Sequence, residues 1–487
     1  MAKKAKTVFM CQECGYESPK WMGQCICGAW NSMVEEKVVE IDEKDKRRRT
    51  SIGAKGTAGG GLGASGIAEG VRAGRPAKLS QIDSGEKERI DTGISELNRV
   101  LGGGLVPGSL TLISGEPGIG KSTIIIQAAA NIAATQGTVL YVSGEESEEQ
   151  IKMRADRVCR QLPDSLFILA ETNMENIDAV CQQIKPAFLI IDSIQTMYSA
   201  ELDSAPGSVS QVRACGNDLM RIGKMHNIPT FIVAHVTKSG DLAGPRIVEH
   251  MVDCVLSFTG DRSHEMRILR AQKNRFGTTS EIGAFEMAEE GLIEIENLSG
   301  TLLEEMGTGS EGAVATAVYE GTRPLVLEVQ ALTSPTNIGF ARRTSIGVEN
   351  SRLNMILAVL EKKMGLKFID QDVYVNIVGG LRPEGTYTDL AVAMAVYSSY
   401  RGKPLGSNTV VLGEIGLTGD LRAVQNGEKI LKEAVKLGFE RIVLAVKNAD
   451  RLKKVVADVN ASRKDAGSRS VKVIGMKNIA EMRNLFE

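Results

Sequence analysis

Nine consecutive residues, Gly115–Thr123, have the spacing of a phosphate-binding loop. Gly115, Glu116, Pro117, Gly118, Ile119, Gly120, Lys121 and Ser122 fit the pattern G-x-x-x-x-G-K-S, and Thr123 follows. Glycines in such a loop let backbone N–H groups point at phosphate oxygens, at the positive end of a helix. A lysine at the position of Lys121 reaches the β- and γ-phosphates, and a hydroxyl at that of Ser122 binds Mg²⁺. The pattern therefore predicts a site for ATP/ADP and Mg²⁺.

Acidic residues follow two other apolar runs. Asp192 ends the run Phe188–Ile191, about seventy residues after the loop, and such a carboxylate holds Mg²⁺ in phosphate-loop enzymes. Glu145 and Glu146 follow the run that ends at Val142. Neighbouring strands should place Glu145 near the γ-phosphate, where it would orient the attacking water. Glu146 is its rival, and an ordinary acidic helix start is the alternative for both.

A short basic segment, Lys273-Asn-Arg-Phe-Gly277, lies after the core strands. Lys273 and Arg275 are two residues apart, so on an extended chain they point the same way. They are candidates for contact with a γ-phosphate, in cis or from a neighbouring subunit, as an arginine finger makes it. From the spacing alone, two solvated cations on a surface strand are the favoured interpretation.

Four of the eight cysteines, Cys11, Cys14, Cys25 and Cys27, lie within residues 11–27. Four thiolates suit tetrahedral Zn²⁺, and a unit of about 30 residues needs such a metal cross-link to fold. The nearest histidine along the chain is His226, so no imidazole is available to replace a thiolate. We expect a zinc site; weakened metal binding and redox-active thiols are the alternatives.

Short apolar runs alternate with helical stretches from residue 82 onward, which predicts a parallel sheet covered on both faces. The runs are Leu110–Ser114, Thr138–Val142, Phe188–Ile191, Thr230–Ala234 and Cys254–Phe258. Residues 262–298 indicate antiparallel strands at the sheet edge. From near Gly300 a second mixture of strands and helices predicts a separate α+β domain. Its predicted strands are Pro324–Ala331, Tyr374–Val378, Thr409–Leu412, Arg441–Ala445 and Val471–Val473, and its predicted helices are Ser351–Met364, Thr388–Tyr400 and Gly427–Leu437. The predicted class is α/β, with a small cysteine-bearing unit at residues 1–32, a charged and Gly-rich linker at 33–80, a core domain at 81–298 and a last domain at 299–487.

Composition narrows the classes of function. The 487 residues carry a formal net charge of −2, which excludes a uniformly basic nucleic-acid coat. Residues 81–298 hold 19 Lys/Arg against 30 Asp/Glu, whereas residues 1–80 hold 14 against 9 and residues 299–487 hold 25 against 21. Any contact with a polyanion should therefore be local. No run reaches the roughly 18 apolar residues of a membrane span and no signal peptide is recognisable, so we expect a cytoplasmic protein without a membrane partner.

These features together resemble the bacterial RadA/Sms family of DNA-repair ATPases, related to RecA and to DnaB-type helicases. The resemblance covers essentially the whole chain and includes Cys11–Trp21, the phosphate loop, Val142–Ser147, Ile191–Thr196, Ala234–Gly240, Lys273–Gly277 and a C-terminal Lon-protease-like domain. It implies a RecA-like ATPase core and a ring, expected to be hexameric. It also implies that Lys273 and Arg275 act on ATP and DNA across a subunit boundary. His235 lies in a stretch that resembles a nucleotide-sensing region, although a lone histidine is more often structural.

The sequence departs from the family pattern at two places. The second cysteine pair is normally Cys-x₂-Cys, but here Cys25 and Cys27 enclose one residue, which puts the zinc site in doubt. In the Lon-like domain, the positions of the catalytic serine and lysine align with Tyr387 and Glu428, so neither nucleophile nor activating amine is present. Lys429 lies one residue away and could restore only the lysine. The resemblance therefore implies a non-proteolytic scaffold.

The function predicted is a DNA-dependent ATPase in DNA repair and homologous recombination. It would process recombination intermediates by helicase-like branch migration on single-stranded and branched DNA, together with the RecA recombinase. Two alternatives are kept: an ATP-dependent protease of the Lon type, and a non-hydrolysing clamp that ATP switches.

Overall fold

The computed structural model describes residues 5–11, 16–26, 28, 30, 32–39, 88–234, 247–260, 265–303, 309–336, 339–383, 385–406, 408–465 and 469–486. Contacts divide the chain into two compact units. The first unit is Met1–Gly93 with Gly103–Leu256, and the second unit is Ile94–Gly102 with Ser257–Glu487. Among the described residues, no helix is long and apolar enough to cross a membrane.

A three-stranded antiparallel sheet forms near the N-terminus. Its strands are β1 (Ala5–Cys11), β2 (Glu17–Ser18) and β3 (Met33–Val39), in the order β2-β1-β3. All seven residues of β3 pair with β1, from Met33 opposite Cys11 to Val39 opposite Ala5. The charged residues from 33 onward predict a linker that would include residues 33–39. Backbone pairing instead includes them in the small sheet.

The core of the first unit is a parallel sheet, and its central strands are entirely buried. The strands are β4 (Leu110–Gly115), β5 (Val139–Ser143), β6 (Leu166–Ala170), β7 (Phe188–Asp192), β8 (Thr230–Val233) and β9 (Cys254–Thr259). Their order is β9-β4-β8-β7-β5-β6, and β4, β8, β7, β5 and β6 pair in parallel. Burial of all residues of β4, β5, β7 and β8 explains their continuous apolar sequences, because helices cover both faces.

Five helices of the first unit connect these strands. They are α2 (Lys121–Thr135), α3 (Glu148–Val158), α4 (Met174–Ile184), α5 (Val209–His226) and α6 (Ile247–Met251), while α1 (Ser95–Leu101) precedes them in the chain and groups with the second unit. Leu112, Leu189 and Ile191 of the sheet pack in one core with Ile177 of α4 and Leu219 of α5. Each predicted core strand is present with ends that differ by at most one residue.

The second unit contains an antiparallel meander of β10 (Met266–Asn274), β11 (Ile282–Ala288) and β12 (Gly291–Glu294), which confirms the antiparallel strands expected at 262–298. A seven-stranded sheet follows, with the order β15-β16-β14-β13-β17-β20-β21. Its strands are β13 (Ala313–Glu320), β14 (Arg323–Pro335), β15 (Arg343–Ile346), β16 (Gln371–Ile377), β17 (Thr409–Val411), β20 (Arg441–Ala445) and β21 (Lys472–Met476); β18 (Glu414–Ile415) and β19 (Leu421–Arg422) form a separate pair.

Helices pack against this seven-stranded sheet. They are α7 (Leu298–Leu303), α8 (Asn350–Met364), α9 (Asp389–Arg401), α10 (Gly427–Lys436) and α11 (Val446–Asp465), with 3-10 turns at Val378–Gly380 and Ile479–Leu485. Helix α9 is buried from Asp389 to Ser398, so it is the central helix of this α+β arrangement. The domain boundary predicted at residues 298 and 299 stays a prediction.

Candidate nucleotide-hydrolysis site

The phosphate loop connects β4 to α2 and holds its lysine inward. Gly120 caps α2 with φ 117°, a left-handed conformation that favours glycine and lets the chain turn directly into the helix. Lys121 is 4% exposed, and its Nζ donates to the carbonyl oxygens of Gly115 (2.7 Å) and Glu116 (3.0 Å). Burial lowers the pKa of Lys121, while the nearby Asp192 and Glu145 raise it. The ammonium thus lies in the curve of the loop, where a phosphate would meet it.

Asp192 brings together three elements of the first unit. Its Oδ2 accepts hydrogen bonds from Ser122 Oγ at 3.0 Å and from the Tyr141 hydroxyl at 2.5 Å. Ser122 lies in the first turn of α2, Tyr141 lies in β5 and Asp192 ends β7. Burial raises the pKa of Tyr141 well above its ordinary value, and the carboxylate of Asp192 raises it further. Tyr141 therefore stays a neutral donor that orients Asp192.

The side-chain oxygens at Ser122 and Asp192 fit Mg²⁺. Hard oxygen donors are the ligands that Mg²⁺ prefers, and it is usually held by one or two protein groups together with phosphates and water. The two oxygens lie 3.0 Å apart, and Asp192 is close enough to Lys121 to raise its pKa. Any magnesium bound here would be held by these two residues and would neutralise charge on the phosphates.

Glu145 and Glu146 differ sharply in their surroundings. Glu145 Oε1 accepts a hydrogen bond from Ser193 Oγ, the residue directly after Asp192. Glu146 instead forms an ion pair with Arg154 of α3. Strand β5 lies between β7 and β6 and is not adjacent to β4. Its pairing with β7 puts Ser143 opposite Asp192, so Glu145 follows β5 at the same end of the sheet as Asp192. Both carboxylates line an open depression that also includes Ala170–Thr172.

Gly144 sets the direction of the chain before Glu145. Its N–H donates to the carbonyl oxygen of Asp192 at 2.9 Å. A Cβ on Gly144 would lie 2.1 Å from Thr196 Oγ1 and 2.9 Å from Thr172 Cγ2, which is too close for any other residue. Only glycine therefore permits β5 to approach β7 so closely at its end.

Lys273 and Arg275 lie at the end of β10 in the second unit. Lys273 is half-buried within the strand, and Arg275 is exposed directly after the strand ends at Asn274. Lys121 and the other phosphate-loop residues belong to the first unit, so the two groups of candidates lie in different compact units of one chain. His235, by contrast, lies outside the described residues, as do Cys14 and Cys27.

Two of the predicted zinc ligands are described, and they share one small core. Cys11 and Cys25 are both buried and pack with Met33. Cys11 Sγ lies 3.2 Å from Ser32 Oγ. Among the residues that the structure describes, no group of three or more His, Cys, Asp or Glu side chains is placed to hold a metal. The two remaining thiols would have to complete the set.

Tyr387, Glu428 and Lys429, the residues compared with the protease dyad, all lie within the described part of the second unit. Tyr387 lies just before α9, and its carbonyl oxygen accepts the Gly413 N–H at 2.9 Å. Glu428 of α10 forms an exposed ion pair with Lys432 at 2.8 Å. Lys429 Nζ donates to the Tyr319 hydroxyl at 2.7 Å and lies 5.3 Å from the centre of that ring. The neighbouring lysine therefore contacts a phenol and not a serine.

Sequence reasoning missed two residues of the nucleotide site, Tyr141 and Ser193. Tyr141 is the one residue with a polar tip among the apolar residues of Val139–Val142, and a buried tyrosine hydroxyl needs a partner. Ser193 follows directly after the predicted magnesium ligand. Both residues could be noticed in the sequence, but their hydrogen-bond partners depend on the order of the strands in the sheet. The sequence does not reveal that order.

Three family models match separate parts of the chain. Residues 75–241 match the family described as "AAA domain", residues 332–448 match "Subunit ChlI of Mg-chelatase" and residues 9–35 match "Rubredoxin metal binding domain". A solved structure of the RadB recombinase also matches, at 23% identity over 42% of this chain and 100% of that chain, with a TM-score of 0.34.

Curated relatives match over nearly the full length. The DNA repair protein RadA of Bacillus subtilis is 47% identical over 98% of this chain and 98% of its own. Those of Halalkalibacterium halodurans and Streptococcus pyogenes serotype M6 are 49% and 50% identical, each over 92% of this chain and 94% of their own. The fold is thus a RecA-like phosphate-loop ATPase core with an N-terminal zinc-ribbon-like unit and a C-terminal Lon-protease-like domain. The chain belongs to the RadA family of DNA repair ATPases.

Proposed function

We propose that this ATPase is stimulated by DNA and drives helicase-like branch migration on single-stranded and branched DNA. The observation that carries the proposal is the convergence on Asp192. Ser122 and Tyr141 donate to its carboxylate, and the next residue, Ser193, donates to Glu145. These contacts support a magnesium position and a water-orienting carboxylate at the ends of adjacent strands, which hydrolysis of a γ-phosphate requires.

The roles of the residues follow from these contacts. Lys121, released from the loop carbonyls, would bind the β- and γ-phosphates, and the loop N–H groups would hold their oxygens. Ser122 and Asp192 would hold magnesium, which would neutralise charge on the β- and γ-phosphates. Glu145 would accept a proton from the attacking water, while Ser193 keeps its carboxylate oriented. Glu146 has its charge engaged by Arg154 and is the weaker candidate.

Lys273 and Arg275 are proposed to act on the nucleotide of a neighbouring subunit in a hexameric ring. Support comes from the resemblance of Lys273–Gly277 to the basic segment of the family. A cation that one subunit supplies to the nucleotide of its neighbour stabilises the charge of the transition state of hydrolysis. Hydrolysis then depends on assembly of the ring. Mixing Lys121→Ala subunits with Arg275→Ala subunits tests this role, because some sites then receive an intact loop and an intact arginine. Restored turnover supports the trans role, and no restoration contradicts it.

DNA is proposed to contact loops and flanking domains rather than the acidic core. Residues 81–298 carry a net −11, while residues 1–80 carry +5 and residues 299–487 carry +4. Phosphate contacts by lysine and arginine release counterions, so binding should weaken steeply with salt. Zn²⁺ at the cysteine unit, cooperation with the RecA recombinase and a cytoplasmic location complete the proposal. The last domain would serve as a non-proteolytic scaffold, as Tyr387 and Glu428 support.

The test is ATP turnover with and without single-stranded DNA, beside degradation of casein by the same preparation. We expect DNA to raise turnover and casein to remain intact. Turnover that ignores DNA and accompanies proteolysis would favour the Lon-type alternative. Binding of ATP without turnover would favour the clamp.

A further inference from the structure

Asn274, between the two proposed cations, uses both ends of its side-chain amide. Its Nδ2 donates to the carbonyl oxygens of Val100 at 3.1 Å and Leu101 at 3.3 Å, at the end of α1. Its Oδ1 accepts the N–H of Phe276 at 2.9 Å. The second contact is a turn closed across Arg275, because it joins residues on either side of it. The backbone that carries Arg275 is therefore fixed from both sides.

The first contact completes the end of α1. The last four carbonyl groups of a helix lack partners within it. Gly102 N–H donates to the carbonyl oxygens of Asn98 and Arg99. The carbonyl groups of Val100 and Leu101 are those that receive the amide of Asn274. Asn274 thus provides partners for two of the last four carbonyl groups of the helix. A side chain of similar size without two N–H donors cannot make both hydrogen bonds.

Helix α1 is itself firmly held in the second unit. Glu96 is 2% exposed, and its carboxylate accepts from Arg323 Nη2 at 2.7 Å and from the Ala284 N–H at 3.1 Å. Gly277 also packs closely on the helix end, since a Cβ there would lie 3.0 Å from the Cα of Gly102. The segment Lys273–Gly277 is consequently attached to a rigid support and not to a free loop.

We infer that Asn274 is a positioning residue that clamps the Lys273–Gly277 segment to α1, so that Lys273 and Arg275 are presented in one fixed geometry. This inference rests on the proposed role of those two cations. A group that stabilises transition-state charge must be placed to within a fraction of an ångström, and a displacement of about 1 Å costs about a hundredfold in rate. The clamp removes that freedom before the nucleotide arrives.

The variant Asn274→Asp separates the two contacts. It keeps an acceptor for Phe276 N–H but turns a carboxylate oxygen toward two carbonyl oxygens. We expect kcat for ATP to fall about tenfold or more, with KM changed less than about twofold, because positioning acts on the transition state. Asn274→Ser, which adds no charge beside the carbonyl groups, provides the second variant if the first fails to fold.

Coupling to Arg275 distinguishes positioning from ordinary stability. Asn274→Asp should cost little further turnover when Arg275 is already alanine, since residues of one working unit are not additive. Asn460 is the matched control: its amide also holds backbone at both ends, donating to Val471 O at 3.0 Å and accepting Val471 N–H at 2.7 Å. Asn460→Asp should leave kcat unchanged, even if it lowers the melting temperature.

The possible outcomes distinguish the role of Asn274 from the proposed role of Lys273 and Arg275. If Lys273→Ala and Arg275→Ala both leave turnover unchanged, the proposed role of the cations is wrong and the inference falls with it. If those variants lower turnover while Asn274→Asp and Asn274→Ser do not, the inference alone is overturned. Full additivity with Arg275→Ala would likewise overturn it.

Discussion

The Tyr141 hydroxyl donates a 2.5 Å hydrogen bond to Oδ2 of Asp192, the same oxygen that accepts from Ser122. Fifty-one residues separate Tyr141 from Asp192, and parallel pairing of β5 with β7 brings them together. A carboxylate oxygen that faces both a buried donor and the start of the phosphate-loop helix has a single orientation. Tyr141 therefore orients Asp192, which is a proposed metal ligand, through this hydrogen bond.

Tyr141→Phe should raise the magnesium concentration needed for half-maximal ATP turnover by about tenfold, because partners that orient a metal ligand are typically worth 10- to 100-fold in affinity. A magnesium titration of turnover measures this. Tyr374→Phe in β16 of the second unit is the control. An unchanged magnesium requirement in Tyr141→Phe would show that Asp192 needs no such support.

Replacing each acidic residue after β5 distinguishes Glu145 from Glu146. Glu145→Gln should lower kcat by about a hundredfold or more while ATP still binds, since loss of a general base costs about 10²–10⁴. Glu146→Gln breaks the ion pair with Arg154 and should change kcat by less than about threefold, as expected for a partly exposed pair. Single-turnover hydrolysis and nucleotide binding measure the two effects. The opposite ranking would transfer the water-orienting role to Glu146.

The sequence predicts those parts of the site that residues close together in the chain form. It does not predict the parts that depend on residues far apart in the chain. The phosphate loop and Asp192 are local patterns, so the loop, the strand before it and the helix after it were predicted correctly. The order of the strands is a tertiary property, and it decides that Glu145 and Tyr141 lie beside β7. The antiparallel strands after β9 were predicted, whereas the clamp made by Asn274 could not be, because its partners lie 173 and 174 residues away.

The second unit was predicted less completely. Strands β14 and β16 and helices α8 to α10 follow apolar patterns and were recognised. Helix α11 was missed, although Leu452, Val455 and Val459 at helical spacing pack on the sheet. Its many charged residues obscure that stripe. Strand β13 was also missed, since Ala313, Ala315 and Ala317 are of a residue type that favours helices and is depleted in strands.

Breaking the ion pair between Arg352 and the buried Asp389 should strongly destabilise the second unit. Arg352 Nε donates to Asp389 Oδ1 at 2.9 Å, and the N–H of Ile415 donates to Oδ2 at 3.0 Å. Burial raises the pKa of Asp389, while Arg352 lowers it. Arg352→Ala leaves a buried carboxylate without its main partner and should cost about 3 kcal/mol or more.

Arg422→Ala is the matched control, because its pair with Glu414 is exposed and worth about 1 kcal/mol at most. Hydrogen exchange of the amides of α9 gives both free energies of unfolding. Equal costs for the two arginines would contradict the account of the buried pair.

Thiol reactivity tests the zinc site. Burial raises the pKa of Cys181 to about 12 and that of Cys215 to about 12, so at pH 8 both remain thiols and should not react with a disulfide reagent in the folded protein. A chelator should expose up to four further thiols, those of Cys11, Cys14, Cys25 and Cys27, and release about one zinc per chain. Cys181→Ser should leave the reactive count unchanged. No change on chelation, together with well under one zinc per chain by elemental analysis, would show that the shortened Cys25–Cys27 pair does not hold metal.

The central claim is that hydrolysis at this site moves DNA strands. Strand displacement from a three-stranded branched DNA, followed with ATP and with a non-hydrolysable analogue, tests it most directly. The account predicts displacement with ATP, none with the analogue, and none for Lys121→Ala or Glu145→Gln with either nucleotide. Equal displacement with the analogue, or by Glu145→Gln, would contradict it and leave a clamp that ATP merely switches.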